Sequence, residues 1–127
     1  HWTGADIDDR ADLGLIPKAN LPREHKTRAA MHKNLVKFLR AQKLLKTSKP
    51  GGKEVVAAAL KFLAQSPAEI VLVNLEDLWL EERSQNVPGT SSERKNWQRK
   101  SKLSLDELER HPEVAALLRE VMRRAQS

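Results

Sequence analysis

The 127 residues contain no cysteine. That excludes disulfides, thiolate metal sites and thiol nucleophiles together, and it fits a reducing compartment. Tyrosine is absent as well, and aromatic residues make up only 4% of the chain. No apolar run approaches the roughly 20 residues of a membrane span. The opening His1-Trp2-Thr3-Gly4 also lacks the charged-then-apolar pattern of a secretory signal. The chain is therefore expected to be cytoplasmic, with no membrane partner. It begins without methionine, which suggests processing or a cut from something longer.

Hydrophobic residues account for 39% of the chain and charged residues for 31%, so a packed core is expected rather than global disorder. A chain of this size is about one domain and can bury roughly two thirds of its unfolded surface. The net charge of +6 is unevenly placed. Lys26, Arg28, Lys33, Lys37, Arg40, Lys43, Lys46 and Lys49 face only Glu24, whereas Asp6, Asp8, Asp9 and Asp12 crowd the first dozen residues with Arg10. Such a basic segment could attract phosphate backbones or acidic surfaces. A solvated helix face is the simpler account of it.

The apolar spacing predicts a mainly helical chain. Asp6 to Leu13 reads as a short helix with Ile7, Ala11 and Leu13 apolar, and Gly14 suits the left-handed position that ends it. Leu15 to Pro22 reads as an extended connector because proline disfavours helix in the residue before it. From Arg23 to about Leu45, Met31, Leu35, Phe38, Leu39 and Leu45 recur with Gln42 at helical spacing and form the expected buried face. After the breakers of Lys46 to Gly52, a helix over 53–64 presents Val55, Val56, Ala59, Leu60 and Leu63. Ser104-Leu105-Asp106-Glu107 is a capping box that opens a helix to about Arg110. Pro112 starts the last helix, with Val114, Leu117, Leu118, Val121 and Met122 expected inside.

One stretch departs from this texture. Ile70-Val71-Leu72-Val73, bounded by Glu69 and Asn74, is a continuous apolar run of the kind found in a strand buried on both faces. The fold class expected for the isolated chain is therefore mainly α with one short β-strand. A strand cannot satisfy its backbone alone, so this one is expected to belong to a sheet whose other strands are missing, or to pair across a homodimer. Leu75 to Leu80 follows as a turn or short helix. Next comes Asn86-Val87-Pro88-Gly89-Thr90-Ser91-Ser92-Glu93-Arg94-Lys95-Asn96-Trp97-Gln98-Arg99-Lys100, a stretch with no hydrophobic period.

Most chemical constellations fail on spacing. A calcium loop over Asp6 to Pro17 would need glycine where Ala11 stands and glutamate where Pro17 stands. His25 and His32 are two helical turns apart, not the single turn of zinc-binding helices. Pro50-Gly51-Gly52-Lys53 lacks the strand and spaced glycine of a phosphate loop. Glu76, Asp77, Glu81 and Glu82 could supply an acid and a base, yet no histidine, serine or second carboxylate cluster stands beside them at a recognisable spacing. No catalytic residue, metal site or cofactor is assigned. Cations interleaved with Trp97 could bind a nucleic acid, but a single tryptophan is thin support and that partner is not expected.

Val71-Leu72-Val73-Asn74-Leu75-Glu76-Asp77-Leu78, then Gln85-Asn86-Val87-Pro88-Gly89-Thr90, then Asn96-Trp97-Gln98-Arg99-Lys100 together resemble the C-terminal region of the amylomaltase, or disproportionating-enzyme, family. These are the 4-α-glucanotransferases of glycoside hydrolase family 77. Trp2-Thr3-Gly4-Ala5-Asp6-Ile7 with Arg10 and Leu13-Gly14-Leu15 is similar to the stretch after the family's His-Asp motif. The resemblance runs from about residue 2 to residue 125, and its specific part is the Asn-x-Pro-Gly-Thr and Asn-Trp pairing.

The resemblance implies a (β/α)₈ barrel for the whole enzyme, with this chain carrying the last βα unit and terminal helices. It also implies retaining transfer of α-1,4-glucan segments between maltooligosaccharides or starch-type glucans, with the catalytic carboxylates outside this chain; no acidic residue here inherits their role, nor can His1 be matched to the family histidine. The implied division is 1–22 after the His-Asp motif, 23–66 helices, 67–103 last barrel strand and substrate-side loop, and 104–127 terminal helices. Asn86, Pro88, Gly89, Thr90 and Trp97 become the expected substrate-binding residues, with Trp79 as a second aromatic face. The partners implied are an α-1,4-glucan and the rest of the barrel. The competing reading is a basic helical module, binding nucleic acid or protein through the lysine-rich segment.

Overall fold

Trp2 to Met122 are the residues described by the computed structural model. His1 and the end of the terminal segment, 123–127, lie outside them. The chain order is α1 (Ala5–Asp12), a 3₁₀ turn (Lys18–Asn20), α2 (Leu21–Ala41), α3 (Gly52–Ala64), a second 3₁₀ turn (Leu75–Trp79), α4 (Leu105–Arg110) and α5 (Pro112–Met122). Two compact units result. Among the described residues, one takes in 2–35 with Glu81–Lys100; the other takes in Val36–Leu80 with 101–122.

Local chemistry sets the ends of the helices. Gly14, at φ 72°, closes α1: its N–H donates to Ala11 O at 3.0 Å and the Leu15 N–H donates to Arg10 O at 2.9 Å. This paired closure uses the left-handed conformation that glycine adopts without steric cost. The same pattern ends α2 earlier than the apolar spacing predicts. Lys43 sits at φ 60°, with its N–H on Arg40 O and the Leu44 N–H on Leu39 O, each at 2.9 Å. Neither glycine nor asparagine marks that stop in the sequence. Glu54 accepts the Gly51 N–H at 2.8 Å to open α3. The Ser104 hydroxyl accepts the Glu107 N–H, and the Glu107 carboxylate accepts the Ser104 N–H at 2.8 Å.

In the second unit α3, α5 and the 3₁₀ turn pack around Leu60, Leu78 and Val114, with Val56, Val73, Trp79, Leu108, Leu117, Leu118 and Val121 against them. Two ion pairs strap α3 to α5 at the surface, Lys53–Glu113 at 2.8 Å and Lys61–Glu120 at 2.6 Å. Phe38 meets Phe62 edge to face at 4.9 Å.

Three expectations need correction. The Leu15–Pro22 connector is not extended throughout: Lys18–Asn20 form a 3₁₀ turn and α2 already starts at Leu21, with Pro22 in the first turn, where its missing N–H costs no helical bond. Among the described residues none lies in a β-strand. A strand needs a neighbour to take its backbone groups, and among the described residues none pairs with residues 70–74 in a ladder. The run keeps only an alternation: Val71 and Val73 are half-buried while Ile70 and Leu72 are 75% and 85% exposed. The apolar face of α2 is likewise less covered than its spacing suggests. Leu39 and Leu45 are buried, but Met31, Leu35 and Phe38 are exposed, as are Leu63 of α3 and Met122 of α5. Helical period reports that a stripe is apolar, whereas its cover depends on what packs there.

Leu39, 1% exposed, should be costly to truncate. Leu39→Ala is expected to lower the unfolding free energy by about 2–5 kcal/mol in urea titration. Met31→Ala, on the exposed part of the same helix, should change it by less than about 0.5 kcal/mol.

Candidate functional site

The first unit joins α1 and the first part of α2 to the loop Glu81–Lys100. Three contacts hold α1 and α2 together. The Arg28 guanidinium donates to Asp6 as a two-pronged fork, at 2.9 and 2.8 Å. His25 Nε2 lies 2.8 Å from Asp8. Trp2 stacks on His32 with ring centroids 4.2 Å apart. The acidic start of the chain, which reads in sequence as helix N-terminal charge, is thus spent largely on named basic partners. The Arg28 hydrogen bond holds the Asp6 carboxyl below its ordinary range against the opposing effect of burial. Burial, with Arg28 nearby, lowers the His32 imidazole.

The loop is anchored to α1 across 85 residues of sequence by Arg94, whose Nη1 donates to the two Asp9 oxygens at 2.6 and 2.5 Å. Nη2 of the same side chain donates to Ser84 O at 3.0 Å. Arg99 pairs with Glu81 at 2.9 Å and donates to Arg83 O. Two of the loop's cations are therefore structural.

Val87-Pro88-Gly89-Thr90 forms a tight turn closed by the Thr90 N–H on Val87 O at 3.3 Å. Proline at its second position and Gly89 at φ 88° meet the demands of a type II turn. Val87 is buried, which leaves Pro88 and Gly89 exposed and Asn86 and Thr90 half-buried. Among the described residues the Asn86 amide has no hydrogen-bond partner. Thr90 Oγ1 donates to Val87 O at 2.6 Å and accepts Asn96 Nδ2 at 2.8 Å. The Val87 N–H in turn donates to Asn96 Oδ1 at 3.2 Å.

Trp97 stands next to this arrangement at φ 60°, with 74% of its surface exposed and its N–H held by Gln85 O at 2.8 Å. A non-glycine residue in that region costs roughly 1–2 kcal/mol, and so exposed a ring recovers little of this by burial. Trp79, by contrast, is half-buried against the second unit's core and offers no free face.

All five expected site residues thus fall in one loop, and Thr90 is tied to the residue preceding Trp97. Sequence reasoning missed Asn96 as the tie and Asp9 as the anchor. Asn96 was visible as half of the Asn-Trp pair, whereas nothing in the sequence couples Asp9 to Arg94. A cavity of about 220 Å³ in the second unit, lined by apolar side chains with Lys53, Asp77 and Glu113, contains none of the five. Among the described residues no cluster of three or more histidine, aspartate or glutamate side chains could hold a metal ion. No described helix is long and apolar enough to cross a membrane.

Val87–Thr90 and Asn96 thus form one hydrogen-bonded loop beside an exposed aromatic, Trp97. The chain belongs to the 4-alpha-glucanotransferase family, whose sequence profile matches residues 10–105. It is similar to the 4-alpha-glucanotransferases of Mycobacterium bovis and Mycobacterium tuberculosis, each 31% identical over 100 residues. The match covers 76% of this chain, and the chain spans 13% of the length of each relative. No solved structure matches it.

Stability should fall on acidification in two stages. The neutral His32 ring favours the fold fully above the unfolded histidine value of 6.5, and this contribution is lost as pH drops through the lower folded value. The Asp6–Arg28 pair contributes fully above the unfolded carboxyl value of 3.8 and is lost as pH drops through Asp6's depressed folded value. In urea midpoints measured against pH, His32→Gln should remove the upper stage. Asp6→Asn should remove the lower one and cost about 1.5–3 kcal/mol at neutral pH.

Proposed function

We propose that this chain is the C-terminal segment of a cytoplasmic 4-α-glucanotransferase that moves α-1,4-glucan segments between maltooligosaccharides or starch-type glucans with retention. Its part is to supply a substrate-side loop, with Asn86, Pro88, Gly89, Thr90 and Trp97 toward the sugar, while the catalytic carboxylates stand on other parts of the enzyme. In the whole protein, residues 1–22 follow the His-Asp motif and 23–66 supply helices. Residues 67–103 give the last strand of a (β/α)₈ barrel and its outgoing loop, and 104–127 the terminal helices. Loops that leave the C-terminal ends of barrel strands build the active-site face. The exposed Ile70 and Leu72 are the side chains that neighbouring parts of a barrel would cover.

The observation that carries this reading is Trp97, strained and exposed beside the free amide of Asn86. A pyranose offers an apolar face to the indole and hydroxyls to the amide. The reading is tested by titrating the ¹⁵N-labelled chain with maltoheptaose and following its indole N–H resonances. The Trp97 signal should shift saturably with a dissociation constant on the order of millimolar, while the Trp79 signal stays in place. Trp97→Asn should abolish the accompanying backbone-amide shifts of Asn86 and Gly89 without lowering the urea midpoint, since asparagine tolerates left-handed backbone. A Trp97 signal indifferent to the sugar would count against the reading. Salt-dependent binding of DNA or RNA through Lys26 to Lys49 would replace it with the basic-module alternative.

By itself the chain is expected to transfer no glucan, so maltotriose incubated with it should give no longer or shorter products on chromatography. Its apolar edge at 70–74 invites association, and a homodimer paired through that edge is expected. A strictly monomeric sedimentation mass at high micromolar concentration would contradict the pairing.

A further inference from the structure

We infer that Asn96, acting through Thr90, is the positioning residue that holds Trp97 in its sugar-facing conformation; this rests on the proposed sugar-side role of the loop. The argument begins with the direction of the hydrogen bonds. The Val87 N–H can only donate, so the Asn96 atom that meets it at 3.2 Å is the carbonyl Oδ1. The amide nitrogen must then face Thr90 Oγ1 at 2.8 Å, which leaves the threonine hydroxyl proton for Val87 O at 2.6 Å. Three bonds form a closed ring that starts and ends on Val87, a buried residue, and each group plays the only role open to it.

The ring fixes the peptide that leads into Trp97. The Asn96 N–H is held as well, on Arg94 O at 3.0 Å, and the Trp97 N–H is held by Gln85 O at 2.8 Å. Backbone on each side of the Asn96–Trp97 peptide is therefore pinned. A strained φ persists only where the surroundings over-determine it, and burial of the ring cannot be what holds it, because the ring is exposed. The same three bonds lock the Pro88–Gly89 turn that follows Asn86. Turn and tryptophan are thus held as one piece, ready for a ligand with little ordering left to do.

Substitutions of similar shape test this. Asn96→Leu keeps the approximate size and loses both the acceptor for Val87 and the donor to Thr90. Thr90→Val keeps the shape and loses the hydroxyl, and Thr90→Ser restores it. Two readouts are taken on the 127-residue chain: the strong intraresidue N–H to Hα NOE that marks positive φ at residue 97, and the maltoheptaose shift of the Trp97 indole. We expect Asn96→Leu and Thr90→Val to lose the NOE, and Asn96→Leu to weaken the sugar response at least about tenfold. Thr90→Ser should keep the NOE, and the Trp2 indole signal should stay unchanged throughout as a control for folding. Retention of the NOE and full response in Asn96→Leu, or equal loss of the NOE in Thr90→Ser and Thr90→Val, overturns the assignment. If the unmodified chain shows the NOE but no response to sugar, the proposed function fails alone. Loss of the NOE in the variants then still upholds the positioning role, and its persistence overturns it.

Discussion

The unit that carries the loop depends on one ion pair, Arg94 with Asp9. It joins the first helix to a segment 85 residues later, and its arginine also takes the Ser84 carbonyl, so a single side chain ties the helix and the entry of the loop. Both side chains are partly shielded, at 19% and 32% exposed, where a charge-assisted contact is worth more than at an open surface. A twenty-residue segment with no hydrophobic period has no core of its own to fold around. Polar anchors must do instead what apolar packing does elsewhere, and Arg94, Arg99, Gln85 and Asn96 are those anchors.

A loop built this way can tolerate strain. Apolar cores relax around a misfit, but hydrogen bonds are directional and, when several converge, hold a backbone in a conformation it would otherwise leave. Trp97 is the beneficiary. Its left-handed φ is held by those bonds while its ring stays open to solvent. The type II turn at Pro88–Gly89 and the unpartnered Asn86 amide lie in the same segment. Left-handed non-glycine backbone also occurs at Lys43 and Leu80, where it follows a helix and a 3₁₀ turn, so what sets Trp97 apart is its exposed ring.

Much of the helical frame was legible. The Ser104–Glu107 capping box, the Gly14 stop and the start at Pro112 follow from side chains that satisfy helix ends a few residues away, and such short-range chemistry is written in adjacent letters. The stop at Lys43 was not legible, because a lysine in the left-handed position carries no signature. Of the site, the Pro-Gly turn and the exposed character of the segment could be read directly. The ring formed by Asn96, Thr90 and Val87 could not, since it depends on the chain folding back over six to nine residues with no periodic mark.

The amino-acid sequence alone determined the helical composition, the turn at Val87–Thr90 and membership of the glucanotransferase family, because each depends on local conformational preference or on residues recognisable in order. Tertiary structure decided which apolar residues are covered, that Ile70 to Asn74 makes no strand within this chain, and that Asp9 rather than any nearer acid anchors Arg94. Burial, strand pairing and ion pairing each require a partner, and which partner arrives is settled only when distant parts of the chain meet.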